Sequence, residues 1–238
     1  MIRLSITLIL ALISQIIFAQ GKISRQSQTV TASTNTKLSV SGRLNGHDYV
    51  DLGLSSGTLW ATCNVGSISP AGYGDYFAWA EIKTKSSYNA ENCTTIDLCY
   101  VDGIKGNVQS DTVRAKYRII GVPSRDAATF NWGSNWELPT AADFTELNKE
   151  CTWTVKTIDG HKGYLITGPN KNTLFLPMAG YMDSKYKSQV GAYGSYWTGE
   201  YWDNYKTATM FSFTASSHNG VIWGKRENGR TIRPVVRK

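Results

Sequence analysis

The 238-residue chain has little that looks like catalytic machinery. It holds three histidines, His47, His161 and His218, far apart and none beside a second ligand at metal spacing. No Gly-x-Ser-x-Gly elbow, Walker loop or dinucleotide fingerprint occurs, so the signatures of the α/β-hydrolases, P-loop NTPases and Rossmann enzymes are all missing. Acidic residues stand singly, and no glycosidase carboxylate pair can be nominated from them. An exported glycan hydrolase is unsupported, and the expectation is a protein that is not an enzyme.

Dense charge of one sign is also missing. The formal charge is +7, and the basic residues are scattered. The nearest thing to a cluster is "GKRENGR", with Lys225 and Arg226 adjacent, followed by "RPVVRK". Nucleic-acid binding calls for a denser patch and a recognisable motif, so a solvated basic tail is the reading and no nucleic-acid partner is expected.

Long apolar runs are confined to the opening "MIRLSITLILALISQIIFAQ". Arg3 supplies a positive n-region, Leu4 to Phe18 an apolar h-region, and Ala19 a small residue before a cut at Gln20. Ser5, Thr7, Ser14 and Gln15 dilute the run below what a membrane span needs. Residues 1–19 are therefore read as a signal peptide, with a retained anchor as the alternative. No cysteine follows the expected cut, which argues against a lipid anchor there. Loss of Arg3 leaves +6 of the +7, and the mature protein is expected to be exported, with no membrane span.

Cysteines are few: Cys63, Cys93, Cys99 and Cys151. An even count in an exported chain suggests disulfides, with three connectivities open. Cys93 and Cys99 bracket the short "CTTIDLC" loop, and bridging them leaves Cys63 to pair with Cys151. The alternative is that some of the four are free buried thiols. Their spacing does not suit a zinc site.

Residues 20–46 are rich in Ser, Thr and Gln and lack aromatics, which predicts a flexible linker, with room for a peripheral strand around Lys37 to Ser41. The compact domain is expected over 47–238. In "YVDLGLSSGTLWATCNVG" two short apolar runs flank a Ser-Ser-Gly turn. The stretch 152–176 predicts a three-stranded meander over Thr152–Thr157, Gly163–Thr167 and Thr173–Leu176, turning at Asp159-Gly160 and at Gly168–Lys171. The clearest helix signal is "LPTAADFTELNKE": Thr140 caps, Asp143 completes a capping box, and Phe144, Leu147 and Cys151 share a face. A second helix is predicted over "SDTVRAKYRIIG". The pattern is that of an α+β domain with small antiparallel sheets, few helices and long loops.

Five ordered blocks, "YVDLGLSSGTLWATCNVGS", "GDYFAWAE", "NWELPTAADFTEL", "LFLPMAGY" and "GSYWTGE…TIRPV", resemble the Fibrobacter succinogenes major paralogous domain, a family of exported bacterial modules abundant in Bacteroidetes-type organisms. The resemblance spans about Tyr49 to Val235. It implies a C-type-lectin-like fold, related to formylglycine-generating enzymes and to retroelement-diversified variable proteins. It also implies a cell-surface, secreted or periplasmic location in a Gram-negative bacterium. Trp60, Trp79, Trp136 and Trp197 fall in these blocks and are expected in the core. Arg233 in "RPV" is expected to be a structural hydrogen-bond donor on a closing strand beside the first strand. Glu137 departs from the family's usual arginine, so any ion pair there is lost or reversed. No cysteine follows Cys151, so formylglycine-generating activity does not carry over.

Eight tryptophans and thirteen tyrosines exceed what one core of this size requires, so some should be exposed. "GSYWTGEYWDNYK" concentrates five aromatics. Tyr196 and Trp197 are expected to serve the core, and Tyr201, Trp202 and Tyr205, set among polar residues, to face a partner, with the boundary at Thr198-Gly199. With Asp203, Asn204, His218, Asn219 and Trp223 they make up the candidate ligand-binding set. Aromatic faces stack on sugar C–H surfaces or on protein side chains at low entropic cost. No cofactor is expected. Calcium on Asp203 and Asn204 is the one metal option, and the local oxygen count is low for it. Two functions follow: recognition of a glycan or protein, or a structural subunit of an envelope or fimbria-like assembly. Ligand identity and oligomeric state are not legible.

Overall fold

The computed structural model of the protein describes residues 38–96, 118–202, 206–218 and 220–238. Among them, short strands form small antiparallel sheets with few helices. Strands β1 (Gly42–Leu44) and β2 (His47–Asp51) pair through Asn45-Gly46, whose φ values of 48° and 81° are those of a two-residue type I′ turn. Order therefore begins N-terminal to His47, where composition predicted linker, and the strand lies at Gly42–Leu44 rather than Lys37–Ser41. Ser39 hydrogen-bonds Thr173, and Ser41 N–H donates to Tyr49 C=O. A Ser/Thr-rich segment is held here by hydrogen bonds with a neighbour's backbone groups and by Leu44, which packs on the first core cluster. Strand β3 (Leu59–Ala61) pairs with β2 beyond the expected Ser-Ser-Gly turn.

Helix α1 (Ala127–Trp132) was not legible as a periodic segment, because six residues are too few to show one. Asp126 caps it, and Gly133, at φ 97°, ends it. Of the second predicted helix, residues 110–117 lie outside the described residues, and 118–121 are not helical. Helix α2 (Ala141–Glu150) forms as predicted, with Thr140 and Asp143 capping each other's backbone N–H, and Phe144 and Leu147 buried. The meander also forms, as β4 (Thr152–Ile158), β5 (His161–Thr167) and β6 (Thr173–Pro177), with Asp159 and Gly160 at positive φ in its first turn.

A ribbon of β7 (Tyr181–Asp183) and β8 (Tyr186–Ser188) follows. Next comes a three-stranded sheet of β9 (Tyr193–Tyr201), β10 (Thr207–Thr214) and β11 (Gly220–Lys225), ordered β11-β10-β9. Finally β12 (Val235–Val236) joins the sheet β1-β2-β3-β12, pairing with β3 rather than with the first strand.

The period-two alternation of strands explains the core. On one face of β9 and β10, Trp197, Ala208 and Met210 enter a cluster with Trp79 and Trp136. On the other, Tyr196, Phe211 and Phe213 enter a second with Trp60 and Phe144, whose ring stacks on Phe211 at 4.6 Å. All four tryptophans of the sequence blocks are buried. Arg233, fully buried, donates to Asn64 Oδ1 and to the carbonyls of Ala61, Thr62 and Phe175, a structural role.

The Cys63–Cys151 bridge does not form. Both are free thiols, Cys63 against the first cluster and Cys151 against the second. Cys93 is a free thiol near Thr95 Oγ1, and Cys99 lies outside the described residues.

Candidate functional site

The aromatic segment that ends β9 divides between core and surface. Tyr201 pairs with Ala208, and its carbonyl accepts from Thr209 Oγ1 at 2.8 Å. Its ring stands edge-on to Trp79, 4.7 Å between centroids, with the Arg226 guanidinium 5.2 Å away. It packs on the first core cluster, so Tyr201 is largely framework. Trp202, one residue on, leaves that packing. The boundary between fold and surface thus falls between Tyr201 and Trp202, not at Thr198-Gly199. The reason is that β9 continues to Tyr201, and Gly199 itself lies under Ile120, where a Cβ would stand 2.2 Å from Cγ1.

Trp202 and Trp223 come together. Both line two adjoining concavities of about 520 and 610 Å³. Trp223 projects from β11, an edge strand, opposite Thr209, and is 53% exposed. Lys206 and Lys225 line the smaller concavity with them, and Tyr181, Tyr193 and Arg230 the larger.

His218 belongs elsewhere. It lies at the turn end of the β10–β11 hairpin, while Trp223 lies five positions further on. Its ring stacks on Trp153 at 5.1 Å and meets Tyr164 edge-on, with Nδ1 hydrogen-bonded to Asn148 Oδ1. It therefore supports the second core cluster and lines neither concavity. Asp203, Asn204, Tyr205 and Asn219 lie outside the described residues, and with them the calcium option. Among the described residues no three His, Cys, Asp or Glu side chains gather as a metal ligand set, and no helix is long and apolar enough to cross a membrane.

A third concavity, of about 760 Å³, opens at the start of α2 and is also bordered by Trp202. Its acids are engaged structurally. Glu200 Oε2 accepts Ala141 N–H at 2.5 Å, and Arg237 binds both Asp143 and Glu137. Glu137 thus stands as the acceptor of an ion pair with Arg237. Burial pushes Asp143 up, but the Arg237 and Thr140 hydrogen bonds outweigh it and hold the carboxyl below its ordinary value. Such a group serves as a fixed anchor, not as a proton donor poised near neutrality. Sequence spacing carried no signal for this cluster, because its members are joined only by the closure of the C-terminal strand.

Comparison of the chain with protein-family models, characterised proteins and solved structures finds no match.

Proposed function

We propose that the protein is an exported, non-enzymatic recognition module with a C-type-lectin-like fold, and that it binds a glycan through the Trp202–Trp223 face. The observation that carries this reading is the convergence of two partly exposed indoles, one just past the end of β9 and one on β11, on the same pair of open concavities. Flat aromatic faces beside a few polar groups suit the C–H faces and hydroxyls of sugars. The fold assignment is supported by the C-terminal strand closing the N-terminal sheet and by a late antiparallel sheet that bears the aromatic surface. A location outside the cytoplasm is supported by the signal-like opening.

Glycan-array capture tests the reading. The wild type should retain a defined set of sugars, and Trp202→Ala and Trp223→Ala should each abolish retention while melting stays near that of the wild type. Full retention by both variants would remove the aromatic face from the function.

A second reading, a structural subunit of an envelope assembly, is favoured by one observation. Strand β11 pairs only with β10 among the described residues, which leaves an edge open to strand addition by a partner. Obligate oligomerisation that shields Trp223 from quenchers would favour it.

A further inference from the structure

Arg230 is buried, with 6% of its surface exposed. Its backbone is fixed by reciprocal hydrogen bonds with Phe77, 2.9 Å each way. The guanidinium lies over the Trp197 ring at 4.4 Å and 5.6 Å from the Tyr181 ring. Nη1 donates to Lys225 C=O at 3.1 Å, but Nε meets no acceptor among the described residues. Nor does any carboxylate among them form an ion pair with Arg230, the nearest acidic influences being Glu227 and Asp183 at longer range.

Two other arginines are matched more fully. Arg233, buried still more deeply, meets four acceptors, and Arg237 is forked onto carboxylate. A buried charge without a counter-charge costs several kcal/mol, and burial draws Arg230 down to about 10. The chain also makes room for it. At Gly224 of β11 a Cβ would stand 2.7 Å from Arg230 Cζ and Nη2.

Arg230 also lines the 610 Å³ concavity, whose other walls include Tyr181, Tyr193, Trp202 and Trp223. That volume lies within the range of small-ligand sites. A guanidinium fork is matched in shape to a carboxylate, and the surrounding rings offer faces to a pyranose. We propose that this concavity is the site for the carboxylate of an acidic sugar residue, with Arg230 receiving the carboxylate and Trp202 and Trp223 holding the ring. Asp183 and Glu227 lie at longer range and disfavour a second negative charge, which suits a singly charged uronate or sialate. The inference rests on the glycan reading of the Trp202–Trp223 face and adds the class of sugar.

The test uses the mature chain and immobilised oligosaccharides bearing galacturonate, glucuronate or sialate, each beside its methyl ester. A peptide presented with free or amidated C-terminus is included. Wild type should retain at least one acid about tenfold or more better than its ester, the size of a charge-assisted hydrogen bond. Arg230→Met should bring acid and ester to equal retention, while Trp223→Ala should abolish retention of both. If Arg230→Met does not fold, Arg230→Lys keeps the charge without the fork and should lose most of the acid preference. Equal binding of acid and ester by wild type would overturn the anion site and leave the glycan reading standing. Retention of no sugar would overturn both, and Arg230-dependent retention of the free-carboxylate peptide alone would replace the sugar with a peptide ligand.

Discussion

The guanidinium of Arg237 forks onto the carboxylate of Asp143, with Nη2 2.7 Å from Oδ2 and Nη1 bonded to Oδ1. Asp143 is also the residue that closes the capping box of α2, and Arg237 Nε reaches Glu137 at 2.7 Å. One carboxylate thus ties the first turn of the long helix to the strand that closes the N-terminal sheet.

Arg237→Ala should therefore cost about 2 kcal/mol at neutral pH, less than a fully buried pair because Arg237 is 38% exposed. Its pH signature follows from the sign of the shift. Asp143 has a folded pKa below its unfolded one, so its stabilisation is complete above about pH 4 and is lost as pH falls through the lower, folded value. Urea denaturation across pH 2–7 should show a shallower acid limb in the variant. An unchanged limb would detach this pair from acid stability.

Asp126 caps α1 and also binds the chain on either side of it. Its Oδ1 accepts from Ala128 and Thr129 N–H, and its Oδ2 from Gly121 and Leu138 N–H, all within 2.9 to 3.1 Å. Asp126→Ala leaves four backbone donors without their acceptor in a site with no solvent exposure. The expected loss is about 3 kcal/mol or more, beyond that of an ordinary helix cap. Asp126→Asn keeps one acceptor oxygen and should fall between. Chemical denaturation of the three proteins checks the order.

Cys151 should alkylate slowly. Burial, with Glu150 and Glu146 adding to it, pushes its thiol up to about 12, so little thiolate exists at pH 8. Peptide mapping without reductant should find Cys63 and Cys151 on separate, alkylatable peptides. Recovery of a Cys63–Cys151 linked peptide would contradict the packing of these residues in two different clusters.

What could be read beforehand were features written locally. The Thr140–Asp143 capping box, the Asp159-Gly160 turn and the alternation of Phe211 and Phe213 each act within a few residues. Asn45-Gly46 was an equally local hairpin signal, but the Ser- and Thr-rich composition around it argued for linker, and turn chemistry prevailed over composition. The placement of His218 against Trp153, the Arg237 cluster and the seat of Arg230 depend on which strands lie side by side. No spacing in the chain encodes that. The aromatic site was half legible: Trp202 and Trp223 converge, while Tyr201 needed the reach of β9 to be assigned inward.

Tyr201 and Trp202 should accordingly behave as opposites despite adjacency. Tyr201→Ala removes a ring packed edge-on against Trp79 and beside the Arg226 guanidinium, and leaves a cavity against the first cluster. The residue is only partly buried, so the loss should be about 2 kcal/mol, below the 3–5 of a fully buried aromatic. Trp202→Ala should change stability by about 0.5 kcal/mol or less, as expected of a surface side chain outside the core clusters. Ligand retention should respond in the reverse order, abolished by Trp202→Ala and reduced by Tyr201→Phe no more than stability is. Urea midpoints and retention, measured on the same preparations, decide it. Equal destabilisation by both alanines would move Trp202 into the core and leave Trp223 without its partner at the concavity.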